Sequence, residues 1–171
     1  MRLPGPSIPQ VHLQPGEVLV TQKSQWVITL LGSCVAVTMF NARFHLAAIC
    51  HAMLSRPRGK GPPCSSPAQC FRYLSDAIPA MARRFSLLGL QPHEVEVKLF
   101  GGGDVIELGG DPHRNHSIGN ANIVTAYQLL NEAGFQINAE NVGGDRGRKI
   151  LFNTESGEVL LKRLSRSRRK S

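Results

Sequence analysis

Residues 26–54 read WVITLLGSCVAVTMFNARFHLAAICHAML, and this stretch decides the fold expected of the chain. It holds three apolar runs without Gly or Pro, at 26–31, 35–40 and 44–54, which are rich in residues that favour β-strands. Gly32-Ser33 separates the first two runs and marks a bend. The stretch therefore predicts three successive strands and a sheet-rich first half of the protein.

Two helices are expected after these strands. Apolar residues recur at helical spacing across 73–88, although Pro79 interrupts the hydrogen-bonding pattern of the first turns. Ser117 offers an N-cap to a second helix, and Gly134 stands where the C-terminal cap of that helix belongs. Further strands are predicted at 95–100, 135–142, 148–153 and 158–164, and ordered structure is expected to begin at the short apolar run 18–20.

The last three predicted strands are joined by short links, which favour antiparallel neighbours. We therefore expect a terminal antiparallel meander across residues 135–164. Strands outnumber helices in this assignment. The predicted fold class is α+β, with mostly antiparallel sheets layered with two main helices.

Length and composition favour one compact domain. The 171 residues are 42% hydrophobic and 19% charged, which is typical of a globular protein with an ordinary core. We expect a flexible Pro-rich N-terminus at 1–14, a single domain at 15–164 and a flexible basic tail at 165–171. The sequence shows neither a bilayer-spanning apolar stretch nor a secretory signal, so we expect a cytoplasmic protein without membrane insertion.

The formal net charge of +8 is concentrated at the end of the chain. Residues 162–171 hold six of the twenty Lys and Arg residues and none of the twelve Asp and Glu residues. Fourteen basic and twelve acidic residues remain elsewhere, which is a net charge of +2. Such a tail attracts polyanions without specificity and has no aromatic residues for base stacking. No specific nucleic-acid partner is expected.

Cys34 and His51 are the candidate catalytic pair. Cys34 directly follows the Gly32-Ser33 bend, where a side chain can be exposed, and His51 lies in the third predicted strand. A histidine that takes the thiol proton converts a cysteine into a nucleophile. On spacing alone, the commoner interpretation is structural, with a small buried hydrophobe and a core histidine.

The other three cysteines lack a comparable setting. Cys50 lies inside an apolar run, while Cys64 lies in, and Cys70 directly follows, a Gly- and Pro-rich segment at 55–69 that predicts a long loop. A zinc site would need ligands beyond Cys64 and Cys70 that the sequence does not supply. We therefore expect no metal.

Several separated motifs resemble the CheD family of bacterial chemotaxis, in the family's order and from about Pro15 to Leu164. The motifs are Pro15-Gly16-Glu17, Leu31-Gly32-Ser33-Cys34-Val35, His51-Ala52-Met53-Leu54, Phe100-Gly101-Gly102, Ser117-Ile118-Gly119 with Asn122, and Val142-Gly143-Gly144 with Gly147-Arg148. Any one of these motifs is weak evidence for the family, but their combination in this order is a specific signal. The Cys- and Pro-rich loop and the basic tail depart from the family pattern.

The resemblance implies a chemoreceptor glutamine deamidase, a cysteine hydrolase that converts glutamines of methyl-accepting chemotaxis receptors to glutamate without a cofactor. It also implies a fold similar to that of bacterial cysteine toxins that deamidate glutamine. By position, Cys34 takes the role of the nucleophile, His51 that of the base and Thr29 that of the third residue. Backbone N–H groups of the bend Gly32-Ser33-Cys34, with Gly32 and Ser33 as its supporting residues, would hold the oxyanion. The same nucleophile and base would also cleave a glutamyl methyl ester.

A non-catalytic adaptor is the alternative function. In that role the protein would bind receptors or a CheC-type phosphatase, the regulatory partner that the resemblance suggests. An adaptor has no reason to keep both Cys34 and His51 at this spacing. Their joint presence favours the enzyme.

Overall fold

The computed structural model describes residues 8–57, 71–104 and 117–165 and gives an α+β fold there. The strands are β1 (Gln10–His12), β2 (Val18–Thr21), β3 (Trp26–Leu31), β4 (Val35–Asn41), β5 (Leu46–Ala52), β6 (Glu96–Gly101), β7 (Ile137–Val142), β8 (Arg148–Asn153) and β9 (Val159–Arg163). The helices are α1 (Leu74–Ser86) and α2 (Ile118–Glu132), with a single 3₁₀ turn at Pro92–Glu94. Neither of these two helices is long and apolar enough to cross a membrane. The predicted fold class is confirmed.

The strands form two sheets. One sheet has four strands in the order β1-β3-β8-β9, and the other has five strands in the order β2-β5-β4-β6-β7. Neighbouring strands are antiparallel except in the β1–β3 and β6–β7 pairs. β4 lies at the centre of the five-stranded sheet, where it pairs with β5 on one side and with β6 on the other.

The central strands of the five-stranded sheet, β4 and β5, are buried on both faces, and this defines the layers of the fold. On one face, Val35, Val37 and Met39 of β4 pack with buried residues of α1 and α2. On the other face, Ala36 and Phe40 pack with residues of the four-stranded sheet. β4 and β5 are buried along their whole length. Burial on both faces explains why their sequences are almost continuously apolar rather than alternating.

The two helices follow the signals in the sequence. The buried residues of α1 recur at helical spacing and are Leu74, Ala77, Ile78, Met81 and Phe85. α1 continues past Pro79, whose side chain lies on the exposed side. Ser117 Oγ accepts a hydrogen bond from the Asn120 N–H at 3.0 Å, which confirms the predicted N-cap of α2. Beyond α2, Gly134 adopts a φ of 79°, the left-handed conformation that favours glycine after a helix.

The predicted terminal meander is wrong for its first strand. β7 pairs with β6 in parallel and forms an edge of the five-stranded sheet. Because β6 and β7 are joined through α2, the chain returns in the same direction, as helical crossovers require. β8 belongs to the other sheet, so the link at 143–147 carries the chain between sheets. Of the predicted meander, the β8–β9 hairpin is confirmed.

The predicted flexible N-terminus at 1–14 is wrong for its second half. β1 pairs in parallel with β3 and extends the four-stranded sheet. Leu13 is buried, and its N–H donates to the Ile28 carbonyl oxygen at 2.9 Å. Backbone pairing along β3 and the burial of Leu13 stabilise a segment whose prolines favour coil in isolation.

Some predictions concern residues that the structure does not describe. These residues include the loop cysteines Cys64 and Cys70, most of the loop predicted at 55–69, residues 1–7 and residues 166–171 of the basic tail. The assignments made for them stay predictions.

Glycines let the end of β6 pack directly against the start of α2. A Cβ atom on Gly119, in the first turn of α2, would lie 2.5 Å from the Gly102 carbonyl oxygen. A Cβ atom on Gly101 would overlap the Cys34 carbonyl oxygen, and Gly101 has a φ of 112° that other residues rarely adopt. Both contacts are with backbone atoms, so no side-chain rearrangement relieves them. The glycine segment, residues Gly101–Gly103, therefore lies between α2 and the residues around Cys34.

Gly119→Ala is expected to destabilise the protein despite the better helix propensity of alanine. Propensity favours Ala over Gly by about 1 kcal/mol in a helix. Overpacking costs about 1–3 kcal/mol, and the 2.5 Å approach to fixed backbone makes this cost the larger of the two. We expect the free energy of unfolding, measured by urea denaturation, to fall by about 1–2 kcal/mol.

Asn131→Ala, at an exposed position of α2, is the control and should change the stability by less than about 0.5 kcal/mol. A Gly119→Ala protein as stable as the wild type would contradict the close packing of α2 on the glycine segment.

Candidate active site

Cys34 lies where the chain passes from one sheet to the other. β3 ends at Leu31 in the four-stranded sheet and β4 begins at Val35 in the five-stranded sheet, so the bend at Gly32 and Ser33 makes the crossing. The Cys34 thiol is free and half-buried, and it packs against the core between the sheets. The predicted bend thus brings the thiol to the layer between the two sheets.

All three carbonyl oxygens of the bend at 32–34 accept hydrogen bonds. Gly32 O accepts from Gly103 N–H at 2.8 Å, Ser33 O from Asn122 Nδ2 at 3.0 Å and Cys34 O from Gly102 N–H at 2.8 Å. In contrast, the N–H groups of Ser33 and Cys34 donate to no backbone or side-chain oxygen within the described parts of the chain. The bend is therefore held by its carbonyl groups and keeps two donors beside the thiol.

His51 lies on the face of β5 that is directed toward the four-stranded sheet. It pairs with Ala36 in the antiparallel β4–β5 ladder, and Ala36 belongs to the core between the sheets. Cys34 directly precedes β4 and packs against the same core between the sheets as Ala36. Cys34 and His51 therefore lie on the same side of the five-stranded sheet.

Thr29 contacts His51 from the opposite sheet. Thr29 Oγ1 lies 2.7 Å from His51 Nδ1 and 2.9 Å from the Leu13 carbonyl oxygen. A hydroxyl has one proton to donate, and the Leu13 carbonyl accepts it, so the Thr29 oxygen must accept from Nδ1–H. This assigns the proton to Nδ1 and the lone pair to Nε2. Nε2 is buried and has no hydrogen-bond partner among the residues that the structure describes.

Burial favours the neutral forms of His51 and Cys34. Desolvation lowers the pKa of His51 below its ordinary 6.5, against smaller opposing effects of the Leu13 carbonyl and Glu17. Desolvation also raises the pKa of the Cys34 thiol above its ordinary 9.0, and the Cys34 backbone N–H partly offsets this. At neutral pH the pair is therefore a thiol and an imidazole. Such a thiol needs a base at the moment it reacts.

Cys50 does not share this environment. It is fully buried in the core beneath the helices, and burial raises its pKa to about 11. Within residues 8–57, 71–104 and 117–165, no group of three His, Cys, Asp or Glu side chains could hold a metal ion. Among the cysteines in these ranges, Cys34 is the one that borders the layer between the sheets.

A cavity of about 310 Å³ adjoins Thr29 and His51. Its other walls come from the segment that follows β1, from neighbouring residues of β3 and from Lys149 of β8. Cys34 is not among the residues that line it. The imidazole therefore borders open space on a side that the thiol does not line.

Two buried polar residues beside the site, Asn122 and Arg148, have no role predicted from sequence. The Arg148 guanidinium donates to the carbonyl oxygens of Gly101, Asn141 and Gly143. It thereby ties the ends of β6 and β7 to the start of β8. The two glycine runs in the sequence indicate that a donor side chain is needed, because tight glycine turns leave buried carbonyl groups without hydrogen-bond donors. Spacing alone does not show which side chain supplies those donors.

Similarity to known proteins extends over most of the chain, and the family model described as CheD chemotactic sensory transduction matches residues 53–163. A protein of Oleidesulfovibrio alaskensis, named probable chemoreceptor glutamine deamidase CheD, is 44% identical over 92% of this chain and 74% of its own length. A protein of Geobacter sulfurreducens, named probable chemoreceptor glutamine deamidase CheD 2, is 42% identical over 95% of this chain and 94% of its own length. Among solved structures, the match to Bacillus licheniformis hypothetical protein YfiH covers 72% of this chain and 49% of the YfiH chain. The two are 14% identical, and the TM-score is 0.44. The family match and the two relatives show that this chain belongs to the CheD family.

Proposed function

We propose that this protein is a cytoplasmic protein-glutamine glutaminase that hydrolyses glutamine side chains of methyl-accepting chemotaxis receptors to glutamate and releases ammonia. Membership of the CheD family and the names of its relatives support this reaction class. The observation that carries the mechanism is the state of His51. Thr29 accepts its Nδ1–H, while the buried Nε2 lone pair has no partner in the described structure. That lone pair is a base on the same face of the sheet as Cys34.

Cys34 is the proposed nucleophile and His51 the proposed base. Nε2 removes the thiol proton as the sulfur attacks the glutamine side-chain carbonyl, which gives a tetrahedral oxyanion. The C–N bond then breaks as Nε2–H gives its proton to the departing nitrogen, so ammonia leaves and a Cys34 thioester remains. Thr29 accepts from Nδ1–H throughout and orients the imidazolium that forms between these steps.

The N–H groups of Ser33 and Cys34 are the proposed oxyanion donors. Within the described residues they donate to no backbone or side-chain oxygen. The Gly32 carbonyl, which accepts from Gly103 N–H, helps to hold the bend while charge develops. In studied hydrolases, one preorganised donor of this kind contributes about 3–4 kcal/mol to the stability of the transition state.

Water completes the reaction through the same base. Nε2 takes a proton from water as the water oxygen attacks the thioester, and the C–S bond breaks to give glutamate and the Cys34 thiol. A glutamyl methyl ester would form the same thioester with loss of methanol, so we also propose a methylesterase side activity. A nucleophile, a base and water suffice for both reactions, and no cofactor is proposed.

The intact mass of a receptor cytoplasmic fragment tests the proposed activity. Each glutamine converted to glutamate exchanges NH₂ for OH and adds about one dalton. We expect this gain with the wild-type protein and none with Cys34→Ala. His51→Ala should lower the rate by about 10²- to 10⁴-fold, which is the usual contribution of general acid–base catalysis.

Cys50→Ala is the matched control, because it removes a thiol from the opposite face of β5. It should retain the activity of the wild type. An equal gain in mass with Cys34→Ala would contradict the proposed nucleophile. Receptor binding without any gain in mass would instead favour the adaptor that binds receptors or a CheC-type phosphatase.

Thr29→Val tests the partner of His51 Nδ1. Valine keeps the shape of threonine but cannot accept from Nδ1–H. A hydrogen bond to a charged group contributes about 1.5–3 kcal/mol. Its loss corresponds to about a 10- to 100-fold fall in kcat. Thr38→Val is the control, since Thr38 is a similarly buried threonine of β4 and does not bond to His51. Equal kcat values for the two variants would assign Thr29 a purely structural role.

The acid limb of the pH profile follows from the lowered pKa of His51. The proposed base is the neutral imidazole, and burial lowers the His51 pKa below 6.5. Most of the His51 imidazole therefore stays neutral as the pH falls through 6.5. We expect kcat/KM for ammonia release to reach half its plateau value below pH 6.5. Circular dichroism at each pH verifies that the protein stays folded. A half-maximal point above pH 6.5 would indicate a stabilised imidazolium and contradict the neutral pair.

A further inference from the structure

Asn122 uses its whole carboxamide to hold the backbone next to Cys34. It lies on α2 and is 1% exposed. Its Nδ2 donates to the Ser33 carbonyl oxygen at 3.0 Å and to the Met53 carbonyl oxygen at 2.9 Å. Its Oδ1 accepts from the Ser55 hydroxyl at 3.0 Å. Both amide protons and the amide oxygen are therefore engaged.

The two Nδ2 bonds span the point where β4 and β5 separate. The antiparallel ladder between these strands has Val35↔Ala52 as its last pair. Beyond that pair, one carbonyl belongs to the residue before the proposed nucleophile and the other to the residue two positions after the proposed base. The Asn122 amide thus links the two chains where ladder hydrogen bonds have ended.

Helix packing by itself does not call for an amide at this position. The buried residues of α2 are Gly119, Asn122, Ala126 and Leu130, and Asn122 is the polar member of this set. Burying an amide is costly unless its hydrogen bonds are made. The bonds it makes are to backbone carbonyl groups beside the site rather than to its own helix.

We infer that Asn122 is a positioning residue for the deamidation, and this inference rests on the proposed function. The peptide plane between Ser33 and Cys34 contains the Ser33 carbonyl at one end and the Cys34 N–H at the other. A hydrogen bond that holds the carbonyl also orients the N–H, which is a proposed oxyanion donor. The second bond, to the Met53 carbonyl oxygen, fixes the position of this peptide plane relative to β5, the strand that contains His51.

Asn122→Ala tests the inference in the receptor-fragment assay. We expect kcat to fall by about 10- to 100-fold with KM changed less than about threefold, because a misdirected donor acts in the transition state. Ser55→Ala is the matched control, since it removes the bond to Oδ1 but leaves both Nδ2 bonds. It should keep kcat within about threefold of the wild type. Asn122→Leu, which keeps a branched side chain without donors, should behave as Asn122→Ala and serves if the alanine variant folds poorly.

Thr154→Val separates positioning from stability. Thr154 is 2% exposed, and its Oγ1 donates to the Lys23 carbonyl oxygen at 2.7 Å and accepts from the Gln25 N–H at 2.9 Å, at the opposite end of β3. We expect it to lower the Tm as the Asn122 variants do while leaving kcat unchanged. If Asn122 and Thr154 variants with equal Tm have equal kcat, Asn122 is merely structural and the inference fails.

The outcomes distinguish this inference from the proposed function. If the wild type deamidates the fragment and Asn122→Ala does so with the same kcat, the inference fails and the proposed function stands. If the wild type does not deamidate, the proposed function fails, and alkylation of Cys34 by iodoacetamide then tests the bend alone. Loss of the hydrogen bond that holds the bend would expose the thiol. The rate of alkylation at Cys34, measured on its peptide, should therefore rise about threefold or more in Asn122→Ala. Equal rates in Asn122→Ala and Ser55→Ala would overturn the role of Asn122.

Discussion

Burial of β4 and β5 on both faces is the constraint on which the site depends. Helices cover one face and the four-stranded sheet covers the other, so His51 is buried although it is ionisable. A buried polar atom is costly unless it finds a partner. Thr29, on the facing sheet, supplies a partner for Nδ1. Nε2 keeps its lone pair within the described structure, and the same burial lowers the pKa of the ring.

The same burial also determines which charge state the proposed catalytic pair adopts at rest. A preformed thiolate–imidazolium pair would have to be desolvated there, at a cost of several kcal/mol per ion. Burial raises the pKa of Cys34 and lowers that of His51, so the thiol and the imidazole are both neutral at rest. The proposed chemistry therefore creates charge only during the reaction, next to two backbone N–H groups that donate to no backbone or side-chain oxygen of the described residues.

Backbone groups from distant parts of the chain converge on the bend that carries the thiol. Glycines at the end of β6 and at the start of α2 allow an approach that any Cβ atom would block. Asn122 and Arg148 then satisfy carbonyl groups that this packing buries. The bend is thus held by donors from a glycine turn and a helix, and Arg148 ties that turn to the neighbouring strands.

The sequence by itself determined the local elements and the candidate residues. The runs at 26–31 and 148–153 predict β3 and β8 with the bounds that the structure has, because apolar runs, caps and bends are local properties. Cys34, His51 and Thr29 follow from residue type, from the bend and from the family resemblance, and their catalytic roles stay predictions. Only the tertiary structure decided that β7 pairs with β6, that β1 joins the four-stranded sheet, and which nitrogen of His51 carries the proton. Each of these depends on contacts between residues far apart in the chain, and local spacing contains no information on which distant group will satisfy a buried polar atom.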